Sequence, residues 1–359
     1  MKLIQSSYKS DDVIFLLKDI SDEMKELPTK ERERLIQSGK KHYSEMLPIE
    51  YEPGESYKKL FFSSLKKYKE KIALFTGILS EKIVSIKGKD IVLVSLARAG
   101  TPIGILVKRY IKNKFNLSIP HYSISIIRDR GIDEVALNKI IKEHTNSKIV
   151  FIDGWTGKGT IKAVLKNACN DFNLKYKTDI SDELAVLADP CGCAEMSGTK
   201  EDFLIPSSCL NSVVSGLVSR TVLNDFIKEN EYHGAKFYKN LKEFDLSNYY
   251  IDEIEKEFIK VLNLKKNLSR DEVNWNGKKE VDRIEKEFKV TNRNFIKPGI
   301  GETTRVLLRR IPDIILVNNY KDEDLEHIFI LAKEKKVKVI EYPLRGYKCC
   351  GIIKKTGDA

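Results

Sequence analysis

Four short runs of apolar and β-branched residues, each closing on a turn and leading into a helix-type pattern, constrain this chain more than any other feature. They are IVLVSLA (91–97), HYSISII (121–127), KIVFID (148–153) and ELAVLADP (183–190). Continuous apolar runs of this length fit strands covered on both faces. Helical periodicity at 57–86, 103–111, 137–143 and from Ile161 onward supplies the covering layers. The expected product is an α/β fold with a mainly parallel sheet. A chain of 359 residues holds two or three such domains, and 42% apolar with 32% charged residues excludes a disordered chain.

The texture divides the chain into four parts. Residues 1–55 are charged and punctuated by Pro48 and Pro53-Gly54, and predict an amino-terminal helical extension. Residues 56–236 carry the strand–helix alternation. Residues 237–290, rich in Asn, Lys and Glu, predict a helical connector with little core. Residues 291–359 predict a small second α/β unit, in which PGIGETT (298–304) opens a helix. No apolar run reaches the roughly 18 residues of a spanning helix, and the first twelve residues turn polar before a signal-peptide core develops. The six cysteines (Cys169, Cys191, Cys193, Cys209, Cys349, Cys350) show no CxxC spacing, and no fourth ligand makes a zinc set. A reduced, cytoplasmic protein without a membrane partner is expected. Its net charge of +11 suits phosphate-bearing partners.

The segment IVFIDGWTGKGT (149–160) delivers Asp153 at a strand's carboxyl end, where open α/β sheets bind ligands. Thr156, Gly157, Lys158, Gly159 and Thr160 then form a turn whose amides can face an anion. It is not a Walker A loop, because Gly159 follows Gly157-Lys158. A plain βα turn is the alternative. SLARAGTP (95–102) places Arg98 beside Ala99 and Gly100, which let a backbone come close. Arg128 and Arg130 flank Asp129 at another strand end, and Asp189 closes the fourth strand, either facing a ligand or capping its loop.

In this order the motifs resemble the type I phosphoribosyltransferases. The resemblance implies Mg²⁺-dependent transfer of ribose 5-phosphate from phosphoribosyl pyrophosphate to a base. Asp153 would contact the ribose hydroxyls and residues 156–160 the 5-phosphate. Arg98, Ala99 and Gly100 would take the pyrophosphate, Arg128 and Arg130 the diphosphate with its Mg²⁺, and Asp189 the base. Gly154 stands where that family has a second acid.

The whole chain is similar to a bacterial group in which a phosphoribosyltransferase-like domain is fused to a Pelota-type RNA-binding domain, encoded beside tellurium-resistance and stress-response genes and also labelled the StiP cysteine-protease family. SLARAGTPIG, SIIRDRGID, FIDGWTGKGT, ADPCGCA, DFLIPSSCLNSVVSGLVSRT and KPGIGETTRVLLRR carry the likeness. It implies RNA contacts at Lys297, Gly299, Gly301, Arg305 and Arg309, in a unit with 14 basic and 9 acidic residues. A basic helix serving as a domain interface is the plainer reading of that motif. The transferase is the main expectation. A cysteine protease using Cys209, with His121 or His233 as the basic partner, is the alternative. A non-catalytic ribose-phosphate sensor is the third.

Overall fold

The computed structural model describes residues 1–263 and 268–354, the side chains of Thr29, Glu33, Gln37 and Arg309 excepted. The apolar runs do form a parallel sheet. Its strands are β1 (Ile14–Phe15), β2 (Ile91–Ala97), β3 (His121–Ile127), β4 (Lys148–Trp155), β5 (Leu184–Ala188) and β6 (Met196–Thr199), in the order β1-β3-β2-β4-β5-β6. An antiparallel pair of residues, Gly131–Ile132, extends β3. The chain passes from β2 to β3 on one side and returns to β4 on the other. That reversal opens a crevice beyond the carboxyl ends of β2 and β4.

Helices cover both faces. Ile91 and Leu93 of β2 pack with α2 (Glu55–Lys87) and α3 (Gly100–Phe115), whereas Val92, Val94 and Leu96 pack with α4 (Glu134–Glu143) and α5 (Thr160–Tyr176). A Cβ on Gly100 would lie 2.2 Å from the Ile152 carbonyl oxygen, so only glycine lets α3 start this close to β4.

Two sequence expectations change here. Residues 14–15 pair with β3, and Lys18–Asp19 pair with Gly234–Ala235, so the amino-terminal segment is woven into the sheet domain and is not a helical extension. Its α-helix is α1 (Thr29–Gln37). Strands of two residues carry no readable period. The connector, in turn, does build core. In α6 (Ser247–Glu255), Tyr250, Ile251 and Ile254 are fully buried, and in α7 (Asn276–Glu287) Val281 and Ile284 are.

The second sheet runs β7 (Ile296–Pro298), β10 (Cys349–Ile353), β8 (Pro312–Val317), β9 (Lys338–Glu341), with β8 and β9 parallel. α7 covers one face, and α8 (Ile300–Arg309) and α9 (Glu326–Glu334) lie on the other. Ile300, Leu307, Ile315 and Ile328 join the same apolar cluster as α2 and α3, so the two units share one core. Among the described residues, no helix is long and apolar enough to cross a membrane.

The α2–α3 contact is tight. A Cβ on Gly77 would meet the Tyr110 ring at 2.9 Å. Gly77→Ala is expected to cost about 1–3 kcal/mol, read as a lower midpoint in denaturant unfolding. Adding Tyr110→Leu should recover part of that loss.

Candidate functional site

The crevice beyond β2 and β4 is closed on its far side by β7 and α8, making a cleft between the two units. One arm has a volume of about 1480 Å³ and the other about 780 Å³. Ala99, Asp153, Arg220, Lys297, Glu302 and Arg305 border both.

Asp153 reaches this cleft from the end of β4, and its Oδ1 accepts the Gly154 N–H at 2.7 Å. Residues 156–160 line the larger arm. Their outer side is already engaged: Tyr347 donates its hydroxyl to the Gly157 carbonyl at 2.6 Å, and Lys158 Nζ donates to the Arg293 carbonyl at 2.7 Å. A Cβ on Gly159 would strike the Trp275 ring at 2.5 Å. At Gly154, a Cβ would sit 3.0 Å from the Ala99 carbonyl oxygen. The approach of the two loops therefore crowds the position where the phosphoribosyltransferases carry a second acid.

Asp189 does not face the cleft. It is 0% exposed and accepts from Thr156 Oγ1 (2.6 Å), the Cys193 and Ala194 N–H groups (3.1 Å each) and Lys200 Nζ (2.7 Å). That is a loop clamp, the second of the two roles its position allowed. Arg130 also lies apart, paired with Glu45 and the Leu223 carbonyl. Arg128 does border the larger arm, its guanidinium over the Tyr43 ring at 5.1 Å. Arg98 donates to Asn211 Oδ1 at 3.1 Å and the Val218 carbonyl at 3.3 Å, tying the turn after β2 to residues 205–221.

The glycine-rich opening of α8 points inward. Asp202, in the loop after β6, accepts the Ile300 N–H at 2.9 Å and the Lys348 N–H at 2.8 Å. A Cβ on Gly299 would lie 3.2 Å from Asp202 Oδ1, and one on Gly301 would lie 3.4 Å from Ser208 Oγ. Arg305 stacks on Trp155 at 4.8 Å and donates Nε to the Ser208 carbonyl at 3.1 Å. The interface reading of this motif thus holds for Gly299 and Gly301, while Lys297 and Arg305 are left on the cleft wall. The Arg309 side chain lies outside the described residues.

Sequence motifs had not marked Arg32 or Tyr43, because both come from the amino-terminal segment and join the site only through the fold. Burial pushes Arg32 down from its usual range, and burial with Arg32 nearby brings Arg220 to about 10. Burial, reinforced by Lys297, lowers Lys158 to about 7, and burial also lowers Lys297. Asp153 is pushed up to about 7 by burial. Glu302 stays below its usual range despite burial, held there by Arg305 and Lys297.

All six cysteines are buried thiols. Cys209 follows the turn 206–208 and borders the smaller arm, and Cys193 borders the larger. The Cys191 thiol is lowered by its hydrogen bond with Cys193, against burial, with help from Tyr347 and the Lys278 N–H at the start of α7. The histidines are committed elsewhere. His121 bonds Ser95 Oγ (2.7 Å) and the Asp12 carbonyl (2.8 Å), and His233 bonds Ser125 Oγ (2.8 Å). Neither is the partner that the protease alternative paired with Cys209. Among the described residues, no cluster of His, Cys, Asp or Glu is arranged to hold a metal ion.

Fold and cleft together define a doubly wound α/β protein joined through its core to a small basic α/β domain, with a thiol and a surplus of cations at the seam. The family model described as tellurite-like stress resistance cysteine protease StiP matches residues 6–255, and that of the PELOTA RNA binding domain matches 275–355. "Cysteine protease StiP" of Acinetobacter baylyi is 38% identical over 369 aligned positions, covering 98% of this chain and 94% of that protein. The chain belongs to the StiP family and carries a Pelota domain.

These matches overturn the main functional expectation. The family covering the sheet domain is named for a cysteine protease, and nothing in it points to phosphoribosyl pyrophosphate. The crowding at Gly154 agrees with that correction. Magnesium entered only with the diphosphate and loses its basis with it.

Asp153 titrates near 7 in the folded chain and near 3.8 unfolded, so the folded state holds the extra proton and stability falls as pH rises from about 4 to 7. Asp153→Asn should match wild type at pH 4 and melt a few degrees higher at pH 7.5. Asp202→Ala strips an acceptor from two N–H groups and should cost about 2–4 kcal/mol in urea unfolding.

Proposed function

We propose that this chain is a cysteine peptidase whose nucleophile is the Cys209 thiol, and that its carboxyl-terminal unit binds RNA. Family membership and the name of the Acinetobacter relative support the activity, and the Pelota match supports the RNA partner. One observation favours Cys209. Of the cysteines, Cys193 and Cys209 border the cleft, and the Cys193 thiol is driven far up by its hydrogen bond with Cys191 and by burial. Arg98 holds Asn211, two residues beyond Cys209, and Arg220 borders the same arm. Positive charge on that wall suits an attacking thiolate. Attack on a peptide carbonyl forms the S–C bond and expels the amine with its proton, and water then resolves the thioester.

A second reading places the nucleophile at Cys191, because its thiol is the acidified one. Trp275, Tyr347 and the 156–160 loop pack around that residue, which makes it the weaker choice.

The test is hydrolysis of a fluorogenic peptide pool by the full chain, with an electrophilic peptide inhibitor located by mass spectrometry. Cys209→Ser should lower the rate about a thousand-fold or more and abolish labelling. Cys191→Ser should change the rate by less than about three-fold, relative to the decades lost with a nucleophile. Retained hydrolysis in Cys209→Ser would remove the assignment, and loss in Cys191→Ser with an unchanged melting temperature would transfer it.

A further inference from the structure

We infer that single-stranded RNA is bound inside the cleft between the two units, its phosphates held by Arg32 and Arg220 of the sheet domain together with Lys297 of the Pelota unit. The inference rests on the RNA-binding reading above and adds a composite site that the Pelota domain alone does not supply.

The outward route is closed first. The helix-start N–H of Ile300 is taken by Asp202, and Gly299 and Gly301 lie against the sheet domain. The basic groups of that motif that remain described, Lys297, Arg305 and Arg310, border the cleft.

The charge balance comes second. Among the described residues, Arg32, Arg220, Lys158 and Lys297 make no ion pair, although all four border the cleft. Arg32 is 5% exposed, and its Nε is a buried donor with no hydrogen-bond partner. A buried guanidinium left unsatisfied costs free energy unless an acceptor arrives. The carboxylates that border the cleft, Glu50, Glu52, Asp153 and Glu302, are fewer than its cations, and of these Glu302 lies near Lys297 and Lys158. Glu302 is paired with Arg305, and Glu50 accepts from Ser212.

Size and shape come third. The larger arm alone, at about 1480 Å³, exceeds the roughly 300–1,000 Å³ of ordinary small-molecule pockets. A polymer with a repeating anionic group fills such a space. Tyr43, flanked by Arg220 at 4.7 Å and Arg128 at 5.1 Å, and Trp155 beneath Arg305 place π-faces beside the cations. Groove-lining cations interleaved with aromatics are how single strands are held without sequence preference. Because Cys209 borders the same cleft, bound RNA would stand in the way of a peptide.

The experiment is fluorescence anisotropy of a labelled oligouridine RNA with the full chain across a salt series. Arg220→Ala and Arg32→Ala should each weaken binding about ten-fold and make the salt slope shallower by about one. Lys321→Ala and Lys333→Ala, at exposed positions of the Pelota unit, should leave it unchanged. Circular dichroism of each variant separates lost binding from lost fold, and Lys297→Ala provides a second cleft substitution on the opposite wall. RNA should also slow peptide hydrolysis by wild type and do so far less with Arg220→Ala. Tight binding indifferent to all three cleft substitutions would overturn the composite site while leaving RNA binding in place. No binding even at low salt would overturn the RNA reading itself and this inference with it.

Discussion

A buried carboxylate fixes how the two units meet at the cleft. Asp202 sits in the loop after β6 and takes the Ile300 and Lys348 N–H groups, so the start of α8 is fixed against the sheet domain. Burial drives this acid up to about 6, and the two N–H groups and Lys348 work against that rise. The positive end of α8 favours the charged form as well. Around this joint the apolar cluster is continuous, with Ile300 itself fully buried. The orientation of α8 then decides which side chains share the cleft with β4: Lys297, Glu302 and Arg305 border it together with Asp153 and Trp155.

The parallel sheet was legible because its four inner strands are written as apolar runs long enough to stand out. The strands at the edges were not. β1 has two residues, and β6 reads MSGT, which has no apolar period although Met196 is buried in the core. The site divides in the same way. A strand-end acid looks identical in sequence whether it faces a ligand or its own loop, and only the positions of Thr156, Cys193 and Ala194 make Asp189 a clamp. The glycine-rich opening of α8 was readable as an exposed helix start. Its direction was not, since the acid that occupies it comes from a different domain. Gly154 is the instructive intermediate case. The missing acid was visible in the chain, and the approach of the Ala99 carbonyl supplies the physical reason for it.

The cations of the cleft come at a cost. Arg32, Arg220, Lys158 and Lys297 are all lowered by burial, so the folded chain carries charges it would hold more easily in water. Apolar residues of similar length would relieve that cost. Where a folded chain breaks local rules in one confined place, function is the usual reason. Near neutral pH part of the Asp153 population and part of the Lys158 population are uncharged, so those two changes offset one another and the lasting charge is that of the arginines and Lys297.

A thiol nucleophile and a phosphodiester backbone make the same demand on their surroundings. A thiolate is held by nearby guanidinium charge, and a nucleic-acid strand is held by the same charge spread along a groove. Arg220 borders the arm that contains Cys209 as well as the arm lined by residues 156–160. An anion bound there takes up positive potential that would otherwise favour the thiolate, besides filling the space a peptide needs. On the reading proposed above, steric and electrostatic effects therefore act in the same direction, and Arg220, which borders both arms, is the residue they share.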